Sequence, residues 1–227
     1  MSKLIKIIKN ITNKPIFKKD VLITGKVALI TGGNSGIGKE TAIDLAKRGG
    51  KIYIACRDVI RSKDDLDEIK ERSKSVNVKL IQLDLASIRS IRHCSKEFHE
   101  RERQLNILVN NAGIMACPKS YTENGFEMQM GVNHLGHFLL TNLLLDLLKA
   151  SAPSRIVVVS SSAHKFSDMN RDDFMSDKSY NKLKVYGQSK LANNLFALEL
   201  ARRLEGSNVT VNSCHPGMLL ILALMFN

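Results

Sequence analysis

Several features are missing from this sequence of 227 residues, and each absence excludes a class of protein. The four cysteines (Cys56, Cys94, Cys117 and Cys214) are far apart and include no C-x-x-C pair, which argues against a zinc site and a disulfide framework and suits a reducing compartment. The N-terminal region lacks both the run of about 20 apolar residues that spans a bilayer and the uninterrupted apolar stretch of a secretory signal. Nothing in the composition indicates a second large domain.

Acidic residues are absent from the first nineteen positions, where six lysines supply about half of the formal net charge of +12. Because the charge is concentrated there, we do not predict a nucleic-acid partner. Isoleucines and a leucine lie between these lysines, so residues 1–24 form a basic amphipathic segment suited to an anionic membrane surface. A solvated tail is the alternative. We predict a cytoplasmic protein, with peripheral contact to an intracellular membrane in the first case.

The chain is organised around residues 26–38, where an apolar, β-branched run at 27–30 stops at a glycine cluster. Helical spacing of apolar residues follows at 39–48, so the glycines form a turn between a buried strand and a helix. Such a turn directs backbone N–H groups at an anion above the helix N-terminus. Gly32, Gly36 and Gly38 are where a side chain would block the turn, a pyrophosphate or helix packing. A tight connection without a ligand is the alternative.

Strands and helices alternate along the rest of the chain. The spacing predicts strands at 51–55, 78–83, 106–109, 155–159 and 209–211, and helices at 61–74, 87–102, 130–149 and 186–204. This alternation predicts an α/β fold with a doubly wound parallel sheet, formed by a single domain over residues 25–217. In such sheets ligands bind at the carboxyl ends of the strands.

Two motifs carry side chains with acid–base chemistry. Tyr186 and Lys190 are separated by one helical turn, where an ammonium favours the ionised form of a nearby phenol. Ser161 follows a predicted strand and can supply a hydroxyl to a substrate oxygen. Taken alone, the tyrosine and lysine are typical of a surface pair, and residues 160–162 are typical of a turn.

In combination, these motifs resemble the short-chain dehydrogenase/reductase family, and specifically its retinol dehydrogenase branch. The resemblance extends over residues 26–217 and rests on an ordered set of motifs. They are Thr31-Gly32-Gly33-Asn34-Ser35-Gly36-Ile37-Gly38, Asp84-Leu85, Asn110-Asn111-Ala112-Gly113, Val132-Asn133-His134-Leu135-Gly136, Ser161, Tyr186-Gly187-Gln188-Ser189-Lys190 and His215-Pro216-Gly217. Cys56-Arg57-Asp58 and Ser189-Lys190-Leu191-Ala192-Asn193 are similar to the retinol dehydrogenase branch.

The resemblance implies a Rossmann fold and a role for each matching residue. Tyr186 would exchange the proton, Ser161 would hold the carbonyl oxygen, and Lys190 would bind the nicotinamide ribose and lower the pKa of the tyrosine. Asn133 would hold a water that links Lys190 to solvent. The implied cofactor-binding residues are Thr31, Gly32, Asn34, Ser35, Gly36, Ile37, Gly38, Arg57, Asp84, Leu85, Asn111, Ala112, Gly113, Tyr186, Lys190, Pro216 and Gly217. The helices at 130–149 and 186–204 resemble family dimer surfaces, which predicts a homodimer.

The cofactor is expected to be NADP(H) rather than NAD(H). NAD-preferring relatives place an acid at the end of the second strand, where this chain has Cys56, followed by Arg57. A guanidinium can bind a 2′-phosphate, which a carboxylate would repel. His134 and His137 have no further ligands at metal-binding spacing nearby, so they are interpreted as packing or hydrogen-bonding residues. Cys117 has no apparent activating base and is interpreted as structural.

The sequence departs from the family after Gly217. Family members continue with a threonine-bearing loop and substrate-pocket elements, whereas residues 218–227 are an apolar segment without threonine. From this we expect a truncated chain that binds NADPH weakly, turns over slowly and tends to aggregate. The predicted function is an NADP-dependent oxidoreductase that interconverts a retinol-like apolar alcohol and its aldehyde or ketone. The alternative is a cofactor-binding pseudoenzyme or interaction protein with little turnover.

Overall fold

The structure is a computed structural model, which describes residues 21–217. The predictions made for the basic residues 1–20 and for the apolar residues 218–227 lie outside the described residues. At the start of the described chain, the backbone N–H of Ile23 donates to the carbonyl of Arg48 at 2.8 Å. The segment ahead of the first strand therefore lies against the end of the first helix.

Strands and helices alternate through the described residues. The strands are β1 (Val27–Thr31), β2 (Lys51–Cys56), β3 (Val78–Gln82), β4 (Ile107–Asn110), β5 (Ser154–Val159) and β6 (Val209–Cys214). The helices are α1 (Gly36–Lys47), α2 (Lys63–Ser73), α3 (Ile88–Arg101), α4 (Met128–Met130), α5 (Gly136–Leu143), α6 (Leu145–Ala150) and α7 (Lys182–Arg203). A π-helical turn (Gly131–Leu135) joins α4 to α5, and a 3₁₀ turn (Ser162–Phe166) follows β5.

The strands form one parallel sheet in the order β3-β2-β1-β4-β5-β6. In β1, Leu29 is opposite Tyr53 of β2 on one side and Leu108 of β4 on the other. The strand order reverses between β1 and β4, which opens a crevice at the carboxyl ends of these two strands. This topology confirms the doubly wound parallel sheet.

Helices cover both faces of the sheet, and successive residues of β1 therefore belong to two different cores. Val27 and Leu29 lie in the core shared with α3, α5, α6 and α7. Ala28 and Ile30 lie in the core shared with α1 and α2. A strand that is buried on both faces needs a continuous apolar run, and this requirement explains why β1 could be recognised from sequence.

The prediction of one long helix at 130–149 is wrong. The structure has the π-helical turn and then two helices, α5 and α6, which meet at Leu144. Leu144 leaves helical geometry, with φ −106° and ψ 5°. The leucines on both sides of this break are apolar enough to continue the hydrophobic pattern, so the sequence carried no sign of it.

Two of the other differences in element boundaries have a clear structural cause. Helix α7 begins at Lys182, one turn ahead of the predicted start, because the Asn181 side chain caps it by accepting from the N–H groups of Leu183 and Lys184. Strand β6, whose start was predicted at 209–211, continues to Cys214 because it stays paired with β5 through polar residues. Within residues 21–217, no helix is both long and apolar enough to cross a membrane.

Candidate active site

The glycine-rich turn connects the end of β1 to the start of α1. Gly36 has φ +51°, which an L side chain rarely adopts, and it is the first residue of α1. A Cβ on Gly38 would overlap the carbonyl oxygen of Gly32 and come within 2.7 Å of the Asn111 side-chain nitrogen. The helix can therefore start this close to the strand only with glycine at position 38.

Thr31 fastens this turn to the end of β4. Its hydroxyl oxygen accepts from the backbone N–H groups of Asn111 and Ala112, each at 2.9 Å. The Asn111 side chain returns the contact by donating to the Thr31 carbonyl at 2.8 Å. These hydrogen bonds hold the ends of β1 and β4 together at the point where the strand order reverses. The Asn111 side chain is used for this contact.

Helix α7 presents Tyr186 and Lys190 to the same sheet edge. Lys190 is 4% exposed, and its ammonium donates to the Val159 carbonyl at 3.2 Å and lies 5.6 Å from the centroid of the Tyr186 ring. Ser161 follows β5 and caps the 3₁₀ turn by accepting from the Ala163 N–H at 3.2 Å. The Tyr186–Lys190 pair and Ser161, which alone are typical of a surface pair and a turn, therefore come together at the end of β5.

Burial dominates the protonation of this pair. It raises the pKa of Tyr186, while a hydrogen bond with the Ser161 hydroxyl lowers it. Burial also lowers the pKa of Lys190 to about 8, and the nearby Cys214 partly opposes that shift. Sequence reasoning expected Lys190 to lower the tyrosine pKa. In the structure, desolvation of the phenolate is the largest effect and the tyrosine pKa is raised.

Asn133 lies in the π-helical turn and is fully buried. Its side chain accepts from the Ile114 N–H at 2.8 Å and donates to the Ile114 carbonyl at 2.9 Å and to Ser189 Oγ at 3.0 Å. A Cβ on Gly113 would come within 3.1 Å of Asn133 Oδ1 and 3.4 Å of Lys190 Nζ. Asn133 and Lys190 thus meet at Gly113, although most hydrogen-bonding positions of the Asn133 amide are used within the protein.

A cleft of about 270 Å³ contains both the glycine-rich turn and the acid–base residues. Of the predicted site residues, the structure brings Gly32, Ser35, Gly36, Ile37, Asn111, Ala112, Gly113, Ser161, Tyr186, Lys190, Pro216 and Gly217 to its lining. Its apolar lining includes Ile114, Met115 and Val159. The cleft is therefore lined by polar residues beside apolar ones. We call the part formed by Ile114 and Met115 the apolar wall.

Other predicted residues lie away from the lining of this cleft. Arg57 is exposed just after β2, whereas Leu85 is buried in the core with its carbonyl against Gly136. Asp84 accepts from the Ala86 N–H at 2.9 Å and is thus part of its own turn. Thr31, Asn34, Gly38 and Asn133 are also absent from the lining. Direct cofactor contact by these residues stays a prediction.

The two histidines and Cys117 make protein contacts. His134 lies near the rings of Phe138 and Phe196 and 3.2 Å from Asn193 Oδ1, and burial lowers its pKa while the Asn193 contact raises it. Burial lowers the pKa of His137 to about 4. The carbonyl of Cys117 accepts a hydrogen bond from a tyrosine hydroxyl, and burial raises the pKa of its thiol. Among residues 21–217, no group of three His, Cys, Asp or Glu side chains is placed to hold a metal.

Comparison with known proteins agrees with this geometry. The family profile described as short chain dehydrogenase matches residues 26–222. The chain belongs to this family. It is 51% identical over 211 residues to human retinol dehydrogenase 14 and 53% identical over 197 residues to human retinol dehydrogenase 13, which places it in the retinol dehydrogenase-like branch. These alignments cover 87% and 86% of this chain but 63% and 60% of the relatives, so the chain spans less than two thirds of their length.

Solved structures of other proteins share the fold. A crystal structure of an uncharacterized protein from Mycobacterium paratuberculosis has a TM-score of 0.79 at 38% identity, covering 90% of this chain and 73% of that one. The Pseudomonas aeruginosa RhlG/NADP active-site complex has a TM-score of 0.72 at 29% identity, covering 91% and 78%. The single-domain Rossmann fold of this short-chain dehydrogenase is therefore shared with both.

Sequence reasoning missed two residues that shape the site. A Cβ on Gly187 would overlap Ser167 Oγ and lie 2.7 Å from the Ala163 carbonyl, so this glycine lets the turn after Ser161 rest directly on α7. Gln129 is fully buried and bonds to Ala116 in the loop after β4 and to Tyr180 and Lys182 at the start of α7. Gly187 lies within the Tyr186–Lys190 motif, where its close contact gives no sequence signal. The burial of Gln129 gives no sequence signal either.

Proposed function

We propose that this short-chain dehydrogenase is an NADP(H)-dependent oxidoreductase that interconverts an apolar, retinol-like alcohol and its aldehyde or ketone. The observation that carries the proposal is the convergence of Tyr186, Ser161 and Lys190 with the glycine-rich turn in one cleft. A protein that only binds the cofactor would not require acid–base side chains beside the nucleotide-binding turn. For this reason the pseudoenzyme interpretation is not favoured.

The residues present fit a dinucleotide. The start of α1 offers backbone N–H groups and a positive helix end to a pyrophosphate, with glycines where a side chain would intrude. Gly113 leaves open the space beside Lys190, where a ribose hydroxyl would find the ammonium. When bound, the nicotinamide would supply or accept the hydride.

Three side chains would handle the substrate oxygen and its proton. Tyr186 would donate a proton to the carbonyl oxygen in reduction and accept it from the hydroxyl in oxidation. Ser161, whose hydroxyl lowers the pKa of Tyr186, would donate a hydrogen bond to the same oxygen. Lys190 would hold the cofactor ribose and favour the tyrosinate once that site is filled.

The preference for NADP(H) rests on the end of β2. Cys56 is 5% exposed there and offers no carboxylate to a ribose 2′-hydroxyl. Arg57 follows it and is exposed, while the neighbouring Asp58 is occupied by the N–H groups of Ile60 and Arg61. A bidentate guanidinium suits a 2′-phosphate. The RhlG/NADP complex among the structural relatives is in line with this choice.

The apolar substrate class is supported by the Ile114 and Met115 wall and by the names of the retinol dehydrogenase relatives. We also propose a homodimer, in which the exposed Phe138 of α5 and Leu195 and Leu198 of α7 would be covered. Peripheral membrane contact through residues 1–20 remains a proposal from sequence.

The test is an assay of the purified chain with all-trans-retinal and a short aliphatic aldehyde, each with NADPH and with NADH. We expect oxidation of NADPH that depends on the aldehyde. Cofactor binding is measured separately by the fluorescence of the reduced nicotinamide. Tight cofactor binding with no turnover of any apolar or polar carbonyl would instead support the pseudoenzyme interpretation.

A further inference from the structure

Gln129 joins two parts of the chain, the loop after β4 and the segment at the start of α7. It lies in α4 and is fully buried. Its Oε1 accepts from the Ala116 N–H at 2.8 Å, and its Nε2 donates to the Tyr180 hydroxyl and to the Lys182 carbonyl, each at 3.0 Å. Both amide protons and one oxygen lone pair are therefore used, with the oxygen bound to the loop after β4 and both amide protons bound to the segment at the start of α7.

The first of these segments is the loop after β4. Ala116 has φ +54°, a left-handed conformation that is unfavourable for a residue with a Cβ and persists where its surroundings impose it. The next residue, Cys117, accepts a hydrogen bond from the Tyr180 hydroxyl at 2.9 Å. Gln129 and Tyr180 thus fix two consecutive residues directly after Ile114 and Met115, which form the apolar wall of the cleft.

The second segment is the start of α7. Lys182 is its first residue, and Tyr186 follows one turn later on the same helix. A further link outside the cleft joins the same two loops, since the Tyr121 hydroxyl donates to Asp177 Oδ1 at 2.9 Å. The distance between the apolar wall and the Tyr186 hydroxyl is therefore set by side chains that do not themselves line the cleft.

We propose that Gln129 and Tyr180 are positioning residues that determine which carbonyl substrates the cleft accepts, by fixing the Ile114 and Met115 wall relative to Tyr186. The inference rests on the proposed function, because it assumes a carbonyl at Tyr186. The pair acts on the body of the substrate, so it discriminates a bulky apolar carbonyl from a short one. It leaves the phosphate-binding turn unaffected, because neither residue contacts it.

Two variants remove these contacts with small changes in volume. Tyr180→Phe deletes one hydroxyl and its two hydrogen bonds, and Gln129→Met keeps the length of the side chain while removing all three. We measure kcat and KM with NADPH for all-trans-retinal and for a short aliphatic aldehyde, together with the Kd for NADPH. The ratio of the two kcat/KM values should fall by roughly tenfold, mainly through KM for retinal. The Kd for NADPH should stay within about twofold.

Asn106→Ala is the matched control. Asn106 is also a buried amide that joins separate segments, accepting from the Val27 N–H at 2.9 Å and donating to the Ser151 carbonyl at 3.1 Å. It directly precedes β4 and therefore lies at the amino end of the strands, opposite the end that carries the cleft. This variant should lower the Tm as the test variants do, but leave the substrate ratio unchanged.

The outcomes separate this inference from the proposed function. If the test variants lower the Tm as Asn106→Ala does and leave the substrate ratio unchanged, the pair is merely structural and the inference is overturned. If the wild-type chain turns over neither aldehyde, the proposed function fails and the ratio is measured as affinities of the NADPH-loaded chain for the two compounds. A shifted affinity ratio in the variants then supports the inference, and an unchanged ratio or no binding overturns it.

Discussion

The hydroxyl of Thr31 lies 2.8 Å from Nε2 of His137, which is completely buried. The hydroxyl oxygen already accepts from the Asn111 and Ala112 N–H groups, and its own proton is directed to the imidazole at 2.8 Å, with the Val109 carbonyl as a more distant acceptor at 3.4 Å. The other ring nitrogen, Nδ1, lies 3.0 Å from the Asn133 carbonyl and must carry the proton. His137 is therefore a neutral Nδ1–H tautomer that connects the glycine-rich turn to the π-helical turn.

This tautomer predicts a loss of stability on the acid side. Burial lowers the pKa of His137 to about 4, below the ordinary value of 6.5, so the unfolded chain binds its proton first. The stabilisation from neutral His137 should be complete above about pH 6.5 and be lost as the pH falls through 4, with a total of about 3 kcal/mol. The free energy of unfolding of wild type and His137→Gln, measured from pH 7 to 3.5, checks this. The gap between the two proteins should narrow in acid, and a constant gap would contradict the assignment.

Much of the fold could be predicted because the strands that carry it are simple in sequence. β1 and β2 are buried on both faces, which requires the apolar runs that were recognised. The boundaries that moved depend on partners. The final residues of β6 are polar and belong to a strand only because β5 pairs with them, and the break at Leu144 lies inside an uninterrupted apolar pattern.

For the site, sequence identified side chains by chemical type but could not identify their supporting contacts. Tyr186, Lys190 and Ser161 were found because phenol, ammonium and hydroxyl groups suggest a reaction when they occur together. The contacts of Gln129 with Ala116 and Tyr180, and of His137 with Thr31, join residues distant in the chain. No periodicity encodes such pairs. The rise in the Tyr186 pKa was likewise missed because burial is a property of the fold.

Arg57→Ala should selectively weaken NADPH binding. The guanidinium is exposed after β2, and among the described residues it makes no ion pair. Losing a charge-assisted contact with a 2′-phosphate should raise the Kd for NADPH by roughly 10- to 100-fold and leave that for NADH nearly unchanged. Fluorescence titration of both cofactors measures this. Arg202→Ala, which removes an exposed arginine paired with Glu199 on α7, is the control and should change neither value. Equal affinity of the wild-type chain for both cofactors would refute the assignment of NADP(H).

Tyr186→Phe should abolish turnover and retain cofactor binding, because it deletes only the oxygen that exchanges the proton. Loss of a general acid–base group typically lowers the rate by about 10²- to 10⁴-fold. Steady-state assays and NADPH titration measure the two effects separately. Tyr53→Phe removes a buried hydroxyl bonded to Glu102, away from the cleft, and should keep its activity. If the Tyr186 variant kept most of its rate, another residue would have to be the acid.

Lys190→Met should make the protein more stable and inactive. The buried ammonium has one hydrogen bond to the Val159 carbonyl, and burial lowers its pKa to about 8 from the ordinary 10.5. The unfolded chain therefore holds this proton more strongly, and the wild type should gain stability as the pH rises from 8 to 10.5, by about 3 kcal/mol in total. In denaturant unfolding, the variant should have the larger free energy of unfolding at pH 7, and the difference from the wild type should decrease toward pH 10. The affinity for NADPH and the turnover should both fall. If the variant were less stable than the wild type at pH 7, the contacts of the Lys190 ammonium within the protein would outweigh its desolvation cost.

Gly187→Ala should separate Ser161 from Tyr186 by pushing apart the elements that carry them. The new methyl group would overlap Ser167 Oγ and lie 2.7 Å from the Ala163 carbonyl, so the 3₁₀ turn after Ser161 has to move away from α7. Overpacking of this kind costs about 1–3 kcal/mol of stability. A displacement near 1 Å at the reacting groups can lower kcat by about 100-fold, while the Kd for NADPH should change little because the phosphate-binding turn is elsewhere.

The control for this prediction is Ala201→Gly, which weakens the same helix without touching the turn. Ala201 lies near the C-terminal end of α7 and packs against the core, and the substitution should cost about 1 kcal/mol through helix propensity in addition to the lost packing of one methyl group. Its kcat should equal that of the wild type. Thermal unfolding places the two variants on one stability scale, and steady-state kinetics then compares them. If Gly187→Ala lost stability but kept the wild-type kcat, the contact between the turn and α7 would support the fold without positioning Ser161.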